Sequence, residues 1–161
     1  MIPEVKIVDA ELKHIEQMDG NFDPVNIEEC WAFARITPLD ALKMELDIAA
    51  VKKVILVGEE PVACFGVNRR QENPQLGTTW MLVTKNFKEY GARLIVREAK
   101  PHLLEMLKDF YIIEAWTYKK NKPTIRWLKW CGFEERAEYD IGVDNATFLN
   151  FRLCKDKLNG T

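Results

Sequence analysis

Apolar and polar positions along this chain follow two periods, and the switches between them predict its elements. The run EVKIVDA (residues 4–10) mixes β-branched residues with charge and predicts a first strand, after which Asp9 can cap a helix over ELKHIEQM. DGNFDP breaks that helix. NIEECWAFARI returns to helical spacing, with Ile27, Cys30, Trp31, Phe33 and Ala34 crowding one side. Thr37-Pro38-Leu39-Asp40 reads as an N-cap followed by proline at the first helical position, and a further helix follows over LDALKMELDIAAV. KKVILVG and PVACFGVNRR flank a turn at Glu59-Glu60 and predict a hairpin; after the loop QENPQLG, GTTWMLVTKNF predicts another strand. Val96, Ala99, Leu103, Met106, Leu107 and Phe110 then share a helical face in YGARLIVREAKPHLLEMLKDF, where Pro101 predicts a kink or a split.

YIIEAWTYK is a nearly continuous apolar run, expected in the interior of its sheet. In NKPTIRWLKWCGFEE the helix has readable ends: Asn121 as cap, Pro123 in the first turn, Gly132 in a left-handed closing position, and Phe133 folding back on Leu128. EERAEYDIGV and ATFLNFRLCK close the chain as two strands around Val143-Asp144-Asn145. The resulting order, β α α β β β α β α β β, predicts a mixed α/β domain on one twisted sheet. With 161 residues, 47% of them hydrophobic, the chain suffices for one core, so residues 1–161 are expected to form a single domain.

Charge changes the picture by exclusion. There are 23 Lys+Arg against 25 Asp+Glu, a formal net charge of -2, so no uniform basic surface draws the protein to nucleic acid or to anionic lipid. Cys30, Cys64, Cys131 and Cys154 lie far apart, and only His14 and His102 could add imidazole, which argues against a metal site. Cysteines in apolar stretches fit a reducing compartment. No basic leader and no long uncharged apolar window is present, and a soluble cytoplasmic protein is expected.

The order strand, Asn, short helix, Gly-Phe, strand resembles the closing half of the GNAT superfamily of N-acetyltransferases, whose usual pattern there is N-x-x-A-x-x-L-Y-x-x-x-G-F. Asn121, Trp127, Gly132 and Phe133 stand at the matching spacing. The element order along nearly the whole chain is similar to that superfamily, which implies a mostly antiparallel sheet of roughly six or seven strands with about four helices. EECWAFARITPLDALK, EEPVACFGVNRR and NKPTIRWLKWCGF resemble more closely a phage-encoded branch that includes the podophage internal core (internal virion) protein.

The resemblance implies an acyl-CoA-dependent N-acyltransferase that moves an acetyl or other acyl group from acetyl-CoA, or another acyl-CoA, to an amine on a host or phage protein or on a small molecule. The pantetheine arm would lie between the fourth and fifth strands and bond to the backbone of Met81, Leu82 and Val83. The diphosphate would meet the start of the following helix, with Lys88 and Gly91 nearby. Two departures from the family stand out. KNFKEYGARL replaces the R/Q-x-x-G-x-G/A cradle, leaving Gly91 and placing Glu89 where phosphate would go, and Leu128 stands at the tyrosine position. Glu114 is the candidate general base, with pairing to a cross-sheet cation as its other reading, and Tyr118 the candidate acid. Trp80, Trp116, Trp127 and Trp130 are read as core before ligand stacking. The rival readings are an inert fold serving as a virion or assembly component, and a module binding a host factor; they imply host cytoplasm or the virion as location, with a homodimer allowed through the C-terminal strands. A splay filled by Trp80 or Trp116 would favour the inert reading.

Overall fold

The structure is a computed structural model and describes residues 4–90 and 92–155. Strand β1 (Val5–Asp9) leads into three helices, α1 (Leu12–Met18), α2 (Pro24–Ala34) and α3 (Pro38–Ile48). Strands β2 (Val51–Val57), β3 (Glu60–Arg69) and β4 (Leu76–Val83) follow, then the single turn α4 (Asn86–Glu89) and the long helix α5 (Ala92–Leu107). Strand β5 (Ile112–Tyr118), helix α6 (Lys122–Trp130), and strands β6 (Glu134–Tyr139) and β7 (Phe148–Cys154) complete the order. The strands form one seven-stranded sheet, β1-β2-β3-β4-β5-β7-β6. Every neighbouring pair is antiparallel except β4 and β5. The predicted α/β architecture is present, with six α-helices among the described residues in place of about four.

Three local expectations are corrected, each by a competing contact. Asp9 does not cap α1: its carboxylate sits 2.6 Å from Lys53 Nζ across the β1–β2 pair, and Glu11 is the N-cap, its N–H donating to His14 Nδ1 at 3.0 Å. The β2–β3 hairpin turns one residue earlier than expected, because Gly58 adopts φ 62 at little steric cost. Pro101 does not split α5. It lies on the exposed side with Arg97, whose carbonyl loses its helical donor where water can replace it.

The sheet is covered on both faces. Against α5 and α6 pack Ile55, Phe65, Ile113, Phe151 and Leu153 together with Ala99, Leu103, Leu107 and Leu128. On the opposite face Val54, Cys64 and Leu82 meet Ile15, Met18, Cys30 and Leu42 from the first three helices. Helix α2 turns in only Cys30 of its expected apolar face. Ile27, Trp31 and Phe33 are about half exposed, whereas Asn26 and Cys30 are buried and Glu29 turns inward with them. The polar stripe of α2 therefore meets the sheet, an arrangement that burial energetics alone would oppose.

Helix α6 ends as its spacing predicts. Gly132 holds φ 98, its N–H donates to the Lys129 carbonyl at 3.0 Å, and the Phe133 N–H reaches back to Leu128 at 3.0 Å, a Schellman closure. A Cβ at Gly132 would find only Leu153 at 3.7 Å, so strain rather than a clash opposes it. Gly132→Ala is expected to lower stability by about 1–2 kcal/mol, read from the urea midpoint at unchanged slope.

Candidate active site

Parallel strands cannot be joined by a tight turn, and β4 and β5 pair only where Leu76–Thr79 face Ile112–Ala115. Past that point no ladder joins them. A cavity of about 150 Å³ opens at this gap and reaches both faces of the sheet. Ala99, Leu103, Thr124, Trp127, Leu128 and Phe133 line it on the α5–α6 side; Glu29, Cys30, Leu42, Glu45, Trp80 and Trp116 line it on the α2–α3 side. Trp80 and Trp116 are thus wall, not plug. Trp80 lies against β3 at Gly66, where a Cβ would come within 2.6 Å of its ring, and its Nε1–H donates to Asn68 Oδ1 at 3.1 Å.

The three backbone positions expected to face a ligand behave differently. The Thr84 N–H bonds to Val62 O, so by antiparallel alternation Leu82 also directs its backbone at β3, while Thr79, Met81 and Val83 direct theirs toward β5. Thr79 is within the β4–β5 ladder. Both groups of Val83 are engaged by the start of α2: its N–H donates to Asn26 Oδ1 at 2.8 Å, and its carbonyl accepts from the Asp23 N–H at 3.0 Å. Met81 faces the gap with no ladder partner on β5.

Beyond β4, the segment expected to hold phosphate is a helical turn. Lys88 Nζ lies 3.5 Å from Asp23 Oδ2, and Asn86 and Tyr90 both donate to the Glu60 carboxylate at 2.9 Å. Gly91 lies outside the described residues.

At the apex of the gap the α2 stripe supplies Glu29. Its Oε2 accepts three hydrogen bonds, from the Tyr118 N–H at 2.9 Å, Thr117 Oγ1 at 3.0 Å and Asn121 Nδ2 at 2.9 Å. Oε1 has no such partner among the described residues. Burial holds the Glu29 carboxyl above the usual carboxylate range, the three donors offsetting part of that cost. The neighbouring Cys30 thiol is pushed up to about 12, chiefly by burial and further by Glu29, and is inert as a nucleophile. Asn121 is fully buried and serves two ends at once: Oδ1 accepts the Thr124 N–H at 3.3 Å as the cap of α6, and Nδ2 holds Glu29.

Glu114 sits elsewhere. It is 4% exposed, with Oε2 3.2 Å from Arg70 Nη1 and Oε1 2.9 Å from Nη2 of Arg152, its cross-strand partner on β7. It does not line the cavity. Tyr118 gives its amide to Glu29, while its ring packs on Phe148 at 5.4 Å between centroids. Trp127 stacks on Trp130 at 5.3 Å, and Lys100 Nζ lies 3.7 Å from the Trp130 ring centre. Of the residues expected from sequence, Met81 lines the cavity and Asn121 stands behind it, bonded to Glu29, whereas Glu29, Glu45 and Asn26 were not expected. Asn26, Glu29 and Cys30 share one stripe of α2, but spacing alone does not tell which face of the helix turns inward.

No protein-family model and no curated protein matches the sequence. Solved structures match the fold. The yncA protein of Salmonella typhimurium, solved with its cofactor acetyl-CoA, is 12% identical with a TM-score of 0.69, covering 95% of each chain. An aminoglycoside N(6')acetyltransferase from Legionella pneumophila is 16% identical with a TM-score of 0.68, over 99% of this chain and 96% of that one. An acetyltransferase of the GNAT family from Streptococcus pneumoniae is 10% identical with a TM-score of 0.61, over 94% and 99%. The fold of this chain is therefore the GNAT fold, and at these identities the likeness is one of fold.

Proposed function

We propose that this protein is an acyl-CoA-dependent N-acyltransferase acting on an amine, with the gap between β4 and β5 as its reaction centre. The observation that supports it most directly is the juxtaposition, at that gap, of a backbone position without a ladder partner at Met81 and a half-buried carboxylate of raised pKa at Glu29. The arm of an acyl-CoA fits here: an amide-bearing chain can pair with Met81 as an added strand, and the apolar α5–α6 wall suits its methylenes. An acyl-CoA supplies an activated thioester.

Glu29 is assigned the base. Lining the cavity with Oε1 not hydrogen-bonded among the described residues, it takes the proton that the amine loses as the C–N bond forms and the thioester C–S bond breaks. Glu114, the base expected from sequence, has both oxygens engaged by arginines, which supports a structural part for it. Tyr118, the acid expected from sequence, does not line the cavity and packs its ring on Phe148, which supports a structural part for it, so the departing thiolate takes its proton from water. Leu128, at the family's tyrosine position, leaves that place without an acid.

The diphosphate end is weaker. Val83 is already bonded and Lys88 is paired with Asp23, so acetyl-CoA is expected to bind without a tight phosphate clamp. Calorimetric titration with acetyl-CoA, with desulfo-CoA as control, tests the reading. Saturable binding in the micromolar to millimolar range that weakens about tenfold or more in Asn121→Ala is expected; no heat and no thermal stabilisation at millimolar ligand would sink it.

The engaged Val83 and the missing cradle favour a second reading, an inert GNAT fold kept as a phage virion or assembly component or as a host-binding module. The phage branch itself rests on the RWLKWCGF run of α6 and its neighbours in sequence.

A further inference from the structure

The fold treats its buried and half-buried acids in two ways. Asp23 and Glu114, 6% and 4% exposed, each have a cation within 4 Å: Lys88 at 3.5 Å for the first, Arg152 at 2.9 Å and Arg70 at 3.2 Å for the second. Glu29 and Glu45 form no ion pair among the described residues, although burial raises the pKa of both. Both line the same cavity, from α2 and α3, on the same side of the sheet. Leaving carboxylates uncompensated in a partly dry site is costly unless a cation arrives to use them.

The rest of the wall agrees. Among the described residues the cavity has no lysine, arginine or histidine in its lining. Glu45 is held by one neutral donor, Asn68 Nδ2 at 2.5 Å to Oε2, and the same Asn68 fixes the Trp80 indole through Oδ1. One amide therefore orients a carboxylate and an aromatic ring as a unit, which is the composition of a site for an alkylammonium group. Among the described residues the α5–α6 side of the cavity carries no charge, so its two sides differ in kind: an uncharged arm suits one, a cation the other.

We propose that the acceptor is a compact dication, an alkylamine whose reacting nitrogen meets Glu29 and whose second ammonium is bound by Glu45 beside Trp80. The identity of the acceptor rests on the transferase reading; the binding of a dication stands on the cavity alone. A single charge would satisfy one of the two acids, and a zwitterion would bring a carboxylate against the other. Two cations joined by an aliphatic chain satisfy both, in a cavity whose wall includes Leu42 and Trp116.

The test needs no acyl donor. Titration with 1,4-diaminobutane and with n-butylamine is expected to show the diamine binding about tenfold tighter or more, a preference that Glu45→Gln removes. Should Glu45→Gln fail to fold, Glu45→Asp keeps the charge on a shorter stem and is expected to shift the preference to a diamine longer by one carbon. Equal affinity for diamine and monoamine, or a preference that survives Glu45→Gln, overturns the proposal. The two readings fail separately: a Glu45-dependent diamine preference without acetyl-CoA binding keeps this site and removes the transferase, and acetyl-CoA binding without that preference does the reverse.

Discussion

Glu29→Gln is expected to lower transfer about 10²- to 10⁴-fold, the range for loss of a positioned base, while raising the melting temperature at mildly alkaline pH. Both effects come from the same burial. A carboxyl whose folded pKa is raised above its unfolded value contributes stability that is fully present below the unfolded pKa and is lost as pH rises through the folded one. Above its raised pKa Glu29 is charged and disfavoured by its surroundings; the amide is not, and its oxygen can still accept from the Tyr118 and Asn121 donors. On acidification Glu29 becomes neutral too, and the stability advantage of the variant should vanish. The wild-type rate should fall with decreasing pH through an apparent pKa above the usual carboxylate range, and the residual rate of the variant should lack that limb. Full activity in Glu29→Gln would remove it from the chemistry. Glu114→Gln makes the contrast: a small change in rate, with a loss of stability as Arg70 and Arg152 lose their shared partner.

Asn121→Asp is expected to be the most destabilising isosteric change in the site, by about 2–4 kcal/mol near neutral pH. Aspartate is as good an N-cap as asparagine, so helix α6 keeps its first-turn acceptor. What is lost is the Nδ2 donor that Glu29 uses at 2.9 Å, and in its place stands a second carboxylate in a fully buried position. Two carboxyls so placed favour sharing a proton, so both have raised folded pKa values. By the sign given above, the deficit should shrink as pH falls toward the unfolded carboxylate range. Urea unfolding at about pH 7.5 and pH 4.5 measures it; a deficit of equal size at both would mean that the two side chains do not interact.

Much of the fold was legible because its signals are local. The Thr37-Pro38 start of α3, the Asn121 cap and the Gly132-Phe133 closure of α6 each need only a few residues of chain, and each forms as expected. The apolar run of β5 was placed in the sheet interior and lies between β4 and β7. Where local signals met a distant partner, they lost. Asp9 left its cap for Lys53, and the apolar crowd on α2 turned outward because Asn26 and Glu29 found donors on β4 and β5.

The candidate site divides along the same line. Met81 and Asn121 were reachable from sequence, since strand alternation and a cap motif point to them. Glu29 was not, because nothing within α2 reveals that its carboxylate meets Tyr118 and Asn121, about ninety residues on. Glu114 drew notice as a carboxylate in an apolar strand, but its arginines come from β7 and from the segment after β3.

By itself, then, the sequence determined the order of the strands, most of the helices, the single sheet they imply and the ends of α3 and α6, because periodicity and capping are interactions between near neighbours. Only the tertiary structure decided which carboxylate occupies the gap, which backbone groups there are already bonded, and which acids have cations. Those depend on where separate elements cross, and a hydrogen bond or an ion pair acts over a few ångströms of space, whatever the distance along the chain.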